Sequence, residues 1–194
     1  MGMTRLLLED KPLETQMKYL NAIRMSSDNL LVIINDILDL SKIEAGIMEF
    51  SKEEVNVNNL CSDVIRSSSF KVKPGVKILM DRHIDDCVIM SDHNRLNQVL
   101  TNFITNAIKF TNEGSIKVGY DLIDDQIRFY VKDTGIGISN DMREKIFDRF
   151  VKLNSFIQGT GLGLPICKSI VEGMGGTIGV ESEVGKGSEF WLKL

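Results

Sequence analysis

Residues 13–45 contain neither glycine nor proline, and this uninterrupted run restricts the possible folds more than any other feature of the sequence. Apolar side chains recur within it at steps of three, four and seven residues, which is the spacing of a helical stripe of the coiled-coil type. The stripe comprises Tyr19, Ile23, Leu30, Ile33, Ile37 and Leu40. A helix of this length would be ~50 Å long, and we expect its wide apolar face to require partner helices.

The residues before this helix predict a helical hairpin. Thr4–Glu9 is typical of the end of another helix, and Pro12 fits the start of the long one because proline suits the first helical turn. We therefore expect residues 1–48 to be the remnant of a long hairpin whose first helix is cut short. Two interpretations stay open: a hairpin packed on its own domain, or part of a dimeric bundle, which the length of the stripe favours.

Composition argues against several classes of protein. The 194 residues are 43% apolar and 26% charged, which is enough of each for a core and a solvated surface. The net charge of −4 argues against a nonspecific nucleic-acid binder. The longest apolar run, Leu30–Ile34, is far shorter than the ~20 residues that span a bilayer. Cys61, Cys87 and Cys167 have neither a zinc spacing nor an even disulfide count, which favours a reducing compartment.

From residue 49 onward, strand and helix patterns are interspersed. Strands are predicted at residues 54–57, 76–80, 88–90, 115–122, 126–133, 177–183 and 188–194. Helices are predicted from a cap at Asn58 or Asn59 to about residue 71, from a cap at Asp92 to residue 110, and over residues 161–174. This order predicts an α+β fold for residues 49–194: a two-layer α/β sandwich of a mixed, largely antiparallel sheet with helices on one face.

The first cluster of chemically interesting residues lies on the helix predicted after Asp92. Asn102 and Asn106 are four residues apart and share one face, and Lys109 lies three residues further on, near the same face. An amide oxygen is a hard ligand that suits Mg²⁺, and a lysine ammonium suits a phosphate. The alternative is a solvated helix face with two ordinary asparagines.

The second cluster follows a predicted strand and contains Asp133, Gly135 and Gly137. Two glycines that bracket one residue permit tight backbone conformations and close approach to a ligand. The carboxylate at the end of the strand can accept a hydrogen bond from an exocyclic amine. The alternative is a simple turn that ends the strand.

Two further clusters follow along the chain. Phe147–Phe150 precedes a segment with few structural constraints, and it is typical either of the hinge of a mobile lid or of an ordinary helix end. In Gly159–Leu164, three glycines lead into a predicted helix, whose N-terminal N–H groups and dipole attract anions. This run lacks the ending of a P-loop and the spacing of a dinucleotide-binding motif, so both classes are disfavoured.

In their order and spacing, the four clusters resemble the motifs of sensor histidine kinases, within the superfamily that includes gyrase and the Hsp90 chaperones. Residues 102–111 resemble the N box, 133–138 the G1 box, 147–150 the F box and 159–164 the G2 box. This resemblance covers about residues 50–194. Residues 38–46 resemble the second helix of the family's dimerisation and histidine-phosphotransfer hairpin.

The resemblance implies that ATP and Mg²⁺ are bound and assigns catalytic roles to Asn106 and Lys109. Asn106 would hold the metal, Asn102 would lie beside it, and Lys109 would contact a phosphate oxygen. The glycine-rich run would cradle the phosphates through Gly159, Thr160, Gly161, Leu162 and Gly163. Phosphoryl transfer requires positioning and charge stabilisation rather than a covalent protein group, which agrees with these residue types.

For the base, the resemblance implies that Asp133 binds the adenine amino group. Gly135 and Gly137 would let the base approach closely, and Ser188 would join Asp133 and a water at the base. The lid would span roughly residues 139–160. Phe147 and Phe150 would tie its conformation to the hairpin.

The sequence departs from the family at the phosphoacceptor. His83 and His93 are its two histidines, and neither lies on the long hairpin or has the neighbours of the phosphoacceptor motif. We expect that motif to lie upstream in a larger parent protein. The parent would transfer the γ-phosphate of ATP to its own histidine and then to a response-regulator aspartate. This chain would bind Mg²⁺ and ATP without autophosphorylation.

The resemblance also implies a homodimeric parent with a response-regulator receiver domain as its partner, a cytoplasmic location below a membrane anchor, and no nucleic-acid partner. Two other functions stay open. A degenerate family member would act as an ATP-dependent switch without kinase chemistry. An ATPase of the chaperone or topoisomerase branch would use an acidic general base, yet the sequence has no Asp or Glu between Asp92 and Glu113.

Overall fold

The structure is a computed structural model that describes residues 12–81, 87–151 and 160–194. The chain divides into two compact units, one ending at Ile47 and the other running from Met48 to Leu194. The helix end predicted at residues 4–9 lies outside the described residues, as do His83 and Gly159.

The described part of the first unit contains one long helix, α1, from Leu13 to Glu44. Its bounds agree with the run that lacks glycine and proline, and Pro12 immediately precedes its first turn. Along its predicted stripe, Leu30 remains 57% exposed and Ile37 remains 50% exposed. The described residues contain no helix that is both long and apolar enough to cross a membrane.

The second unit contains seven strands and three α-helices among its described residues. Its strands are β1 (Glu53–Asn56), β2 (Val76–Asp81), β3 (Val88–Ser91), β4 (Gly114–Ile123), β5 (Gln126–Asp133), β6 (Thr177–Glu183) and β7 (Gly187–Lys193). Its helices are α2 (Val57–Ser68), α3 (His93–Phe110) and α4 (Gly163–Gly173), with short 3-10 turns at Ser69–Lys71 and Lys145–Phe147.

Five of the strands form one mixed sheet in the order β2-β4-β5-β7-β6. Strand β2 runs parallel to β4, and the other neighbours are antiparallel, which confirms the predicted sheet. Strands β1 and β3 form a separate antiparallel pair that the sequence pattern did not distinguish from the main sheet.

The core lies between the helices and one face of the five-stranded sheet. The ring of Phe103 on α3 lies 5.5 Å from that of Phe190 on β7, measured between centroids. Alternate residues of β4, namely Ile116, Val118 and Tyr120, are fully buried on the same face. The buried face of the sheet thus packs against the apolar face of α3. This packing holds in place the helix that carries Asn102 and Asn106.

The start of α2 differs from the prediction. Its N-cap is Asn56, whose Oδ1 accepts a hydrogen bond from the Asn59 N–H at 3.0 Å, rather than Asn58 or Asn59. Asn58 is buried instead, and its Oδ1 accepts a hydrogen bond from the Tyr120 hydroxyl at 2.9 Å. The prediction was wrong because β1 passes directly into α2, so the last residue of the strand is also the cap.

Both ends of α3 are fixed by charged side chains. As predicted, Asp92 is the N-cap, and its Oδ1 accepts a hydrogen bond from the Arg95 N–H at 3.0 Å. At the other end, the Lys73 ammonium donates to the Lys109 carbonyl oxygen at 3.0 Å. A carboxylate at the N-terminus and an ammonium at the C-terminus both complement the helix dipole.

We expect Asp92→Ala to lower the free energy of unfolding by about 1–2 kcal/mol, because the N-cap is lost. Burial acts to raise the pKa of Asp92, but hydrogen bonds from the Arg95 and Ser51 N–H groups outweigh it, and the pKa is lowered. A carboxyl with a lowered pKa in the folded state stabilises the fold above its ordinary pKa range, and this stabilisation is lost as the pH falls through the folded value.

Urea denaturation of wild type and Asp92→Ala, near neutral pH and in acid, checks this prediction. The difference in unfolding free energy between the two proteins should shrink in acid. A difference of the same size at both pH values would contradict it.

Candidate nucleotide-binding site

Asp133, Ser188 and Ser182 form a polar row across three neighbouring strands. Asp133 on β5 pairs with Ser188 on β7, and Ser188 pairs with Ser182 on β6. Directly paired residues of antiparallel strands project from the same face of a sheet. Asp133 and Ser188 are both buried.

The Asp133 carboxylate is held by backbone groups on one of its oxygens. Its Oδ1 accepts hydrogen bonds from the Gly135 N–H at 2.8 Å and the Ser188 N–H at 3.3 Å. Among the described residues, no donor reaches its Oδ2. Burial raises the pKa of Asp133, and the two N–H groups offset only part of that effect. A buried carboxylate with one uncommitted oxygen is suited to accept a hydrogen bond from a ligand amine.

The loop that carries Gly135 and Gly137 is held between α3 and the β6–β7 turn. The Ile136 N–H donates to the Phe110 carbonyl at 3.3 Å, and the Gly185 N–H donates to the Ile136 carbonyl at 2.8 Å. Gly137 has a φ of +71°, and a side chain there would overlap the backbone of Glu183. Glycine is required at this position for its backbone conformation, as predicted, and for the close approach of the Glu183 backbone. The close approach of a ligand stays a prediction.

The other end of the site is formed where α3 meets the N-terminus of α4. The Asn106 Nδ2 donates to the Asn102 Oδ1 at 3.0 Å. A Cβ at Gly163, the first residue of α4, would overlap the Asn102 amide, so these two residues lie in direct contact. The structure therefore brings the first and fourth clusters together, with two amides beside the N–H groups of a helix N-terminus.

The remaining residues of the first and fourth clusters lie nearby in the chain. Lys109 is three residues after Asn106 on α3, and its Nζ lies 5.1 Å from the Phe110 ring centroid. The Thr160 Oγ1 accepts a hydrogen bond from the Leu162 N–H at 3.1 Å, just before α4 begins. The structure places Lys109 over its neighbour's ring, so its approach to a phosphate stays a prediction.

The lid predicted at residues 139–160 is described only in part. Phe150 lies near the middle of it, with a φ of +64° and a side chain that is 69% exposed. Its N–H donates to the Gly161 carbonyl at 2.9 Å. This hydrogen bond joins the middle of the predicted lid to Gly161, which follows the lid two residues before α4 begins.

We expect Gly163→Ala to weaken ATP binding by about tenfold while changing the melting temperature little. The added methyl group would displace the Asn102 amide, whereas alanine is favourable for the helix backbone itself. Calorimetric titration with ATP and a thermal melt check the two parts. In an Asn102→Ala background the same substitution should cost no further affinity, and an equal loss there would contradict the explanation.

Sequence reasoning missed Ser182, although one signal was present. Along β6, Ile178 and Val180 occupy alternate positions, and Ser182 continues that alternation with a polar side chain. A polar residue at a position that alternation directs toward the core is a sign of a specific hydrogen-bonding role.

The two ends of the site lie along one helix. The base end contacts α3 through Phe110, and the amide pair includes Asn106, one turn earlier. A buried carboxylate with an uncommitted oxygen at one end, and a helix N-terminus with its N–H groups at the other, are features of a nucleotide-binding α+β domain.

Comparison with known proteins agrees with this class. The family model described as "Histidine kinase-, DNA gyrase B-, and HSP90-like ATPase" matches residues 91–194, and the chain belongs to this family. A second model, "His Kinase A (phospho-acceptor) domain", matches residues 1–46. The predicted relationship to histidine kinases and the predicted fold class are thereby confirmed, and the chain is an ATP-binding domain of the kind used in two-component signal transduction.

Individual relatives are similar along the whole chain. "Sensor protein GacS" of Pseudomonas syringae pv. syringae is 40% identical over 205 residues, which cover 100% of this chain and 23% of that protein. A crystal structure of full-length ShkA in complex with AMPPNP has a TM-score of 0.84 and 37% identity, and covers 99% of this chain and 41% of its own. Histidine kinase ThkA in complex with response regulator protein TrrA has a TM-score of 0.74 and 28% identity, with coverages of 99% and 55%. The chain spans less than a quarter of the curated relative's length.

Proposed function

We propose that this chain is the ATP-binding part of a sensor histidine kinase, which transfers the γ-phosphate of ATP to a histidine and from there to a response-regulator aspartate. The observation that carries this proposal is the contact of Gly163 with Asn102, which accepts a hydrogen bond from Asn106, on the same helix whose end supports the Asp133 loop. The Asp133 carboxylate suits the amino group of adenine. The amide pair and the α4 N-terminus, one turn away along α3, suit the phosphates of ATP.

The metal proposed for this site is Mg²⁺, held through Asn106. The Asn106 Nδ2 donates to Asn102, so the Asn106 Oδ1 is the atom of this amide that remains to face a ligand. The described residues contain no group of three or more His, Cys, Asp or Glu side chains that could hold a metal. Mg²⁺ commonly uses one or two protein oxygens together with phosphate oxygens and water, so a single amide oxygen fits. When bound, the ion would neutralise charge on the phosphates.

The other residues are assigned by their positions in the site. Asp133 accepts the adenine amino group through Oδ2, and Ser188 lies beside it at the base. Lys109 contacts a phosphate oxygen. The backbone of residues 160–163 surrounds the phosphates just before and at the start of α4.

Calorimetric titration with ATP, with and without Mg²⁺, tests the proposal on the chain as it exists. We expect binding that depends on Mg²⁺. Absence of ATP binding would overturn the proposal, and sustained ATP turnover by this chain would favour an ATPase of the chaperone or topoisomerase branch.

For the whole protein, we propose a homodimer in the cytoplasm that docks a receiver domain. The support for dimerisation is α1, whose apolar side chains Leu30 and Ile37 are at least half exposed and would be covered by partner helices. The support for a receiver partner is the likeness to ThkA, whose structure contains the response regulator TrrA.

This chain alone should not become phosphorylated on histidine when it is incubated with Mg²⁺ and ATP. The segment that matches the phospho-acceptor domain, residues 1–46, contains no histidine, and His93 begins α3. Intact-mass analysis checks this, with a histidine kinase that contains its phospho-acceptor histidine as the positive control. A phosphohistidine on the present chain would contradict the prediction.

A further inference from the structure

The Ser182 hydroxyl lies at the centre of a small hydrogen-bond network beside the base end of the site. Its Oγ accepts a hydrogen bond from the Ile138 N–H at 2.8 Å. It donates to the Gly187 carbonyl oxygen at 2.8 Å. It also lies 2.9 Å from the Ser188 Oγ. Ser182 is thus hydrogen-bonded to the loop that follows Asp133, to the start of β7 and to the serine that pairs with Asp133.

The number of protons on the two hydroxyls determines the direction of the hydrogen bond between Ser182 and Ser188. A hydroxyl has one proton to donate and two lone pairs that accept. Because the Gly187 carbonyl can only accept, the Ser182 proton is used there. The bond between Ser182 and Ser188 therefore requires the Ser188 hydroxyl as its donor. The Ser188 proton is turned toward Ser182, and only lone pairs remain for a ligand.

The atoms of the polar row that face the base are consequently all hydrogen-bond acceptors. Asp133 offers carboxylate Oδ2, and Ser188 offers hydroxyl lone pairs. A purine with an amino group at its six position brings two N–H donors to such an edge. A purine with a carbonyl at that position brings another acceptor, which meets unpaired oxygens and is disfavoured.

We propose that Ser182 is a specificity-determining residue, which holds the Ser188 proton away from the base and thereby favours ATP over GTP. Ser182 acts through Ser188 and is a positioning residue. The inference rests on the proposed placement of the base at Asp133.

The test is the ratio of ATP to GTP affinity, measured by calorimetric titration in the presence of Mg²⁺. In Ser182→Ala, the Ser188 hydroxyl is free to rotate and to donate to a purine carbonyl, so the preference for ATP should narrow by about three- to tenfold. Ser182→Thr keeps the hydroxyl and should retain the wild-type ratio. Ser69→Ala is the matched control, because that exposed hydroxyl follows α2 and, among the described residues, donates to the Ile65 carbonyl alone.

A double-mutant cycle separates this role from a merely structural one. In a Ser188→Ala background there is no proton to orient, so Ser182→Ala should leave the nucleotide ratio unchanged. If loss of the bond to Ile138 prevents Ser182→Ala from folding, Ser182→Cys replaces it, since a thiol is a weak acceptor of similar shape.

Two results would overturn the proposal: an unchanged ATP-to-GTP ratio in Ser182→Ala, or in its replacement Ser182→Cys, while ATP still binds, or an equal change in both backgrounds. Failure of the wild-type chain to bind ATP would refute the proposed function instead. The two failures are therefore distinguishable in the same set of titrations.

Discussion

Asn106→Ala should weaken Mg²⁺-dependent ATP binding by about 100-fold or more, because loss of a group that only orients a metal ligand already lowers metal affinity by about 10–100-fold. Removal of the amide eliminates the proposed metal ligand and the donor to the Asn102 Oδ1. Calorimetric titration with ATP, with and without Mg²⁺, gives the size of the loss and shows whether the metal dependence disappears with it.

The matched control is Asn94→Ala, which removes an exposed asparagine from the first turn of the same helix. That variant should bind ATP as the wild type does. Asn106→Asp retains an oxygen ligand and should keep part of the metal dependence. If Asn106→Ala bound ATP with wild-type affinity and wild-type metal dependence, the metal could not be on this helix.

Asp133→Asn should lose ATP affinity by about 100-fold while the fold becomes no less stable. Its Oδ1 accepts from two backbone N–H groups, so the oxygen of an asparagine would keep that position. The amide NH₂ would then face the adenine amino group, and two donors would oppose each other. Titration with ATP measures this part of the prediction.

The stability part follows from the direction of the pKa shift. Burial raises the pKa of Asp133, so the ionised carboxylate is disfavoured in the folded state. A raised carboxyl pKa makes stability fall as the pH rises from the ordinary Asp range through the folded value. An asparagine removes this penalty, so thermal melts near neutral pH should show an equal or higher melting temperature for the variant.

The matched control here is Asp125→Asn, in the β4–β5 turn at a φ of +60°, which asparagine tolerates well. It should leave ATP binding unchanged. If Asp133→Asn bound ATP as the wild type does, the base would have to lie elsewhere.

The sequence predicted those features that depend on local pattern. The bounds of α1 and α3, the Asp92 cap and the β4–β5 hairpin follow from helical spacing, cap chemistry and strand alternation, and the structure has each of them. The resemblance placed Asn102 and Gly163 near the same phosphates, whereas their direct contact is a finding of the structure, since no local rule brings two helices together.

The features that sequence reasoning missed depend on pairing between distant segments. The role of Ser182 exists only because β6 and β7 pair in the register that places it opposite Ser188. Likewise, the separate β1–β3 pair and the Asn56 cap result from how the strands meet, which the strand pattern of each segment does not encode.

The strand order of the main sheet has a consequence for how the protein is made. Strand β7 is translated after every other strand of the sheet, yet it lies between β5 and β6. Until it emerges from the ribosome, β5 and β6 each have an unpaired edge, and exposed edges are sites of aggregation. Asp133 also lacks its partner Ser188 until then. The nucleotide pocket is thus completed by the final insertion step of the sheet, and ATP can stabilise only chains that have finished it.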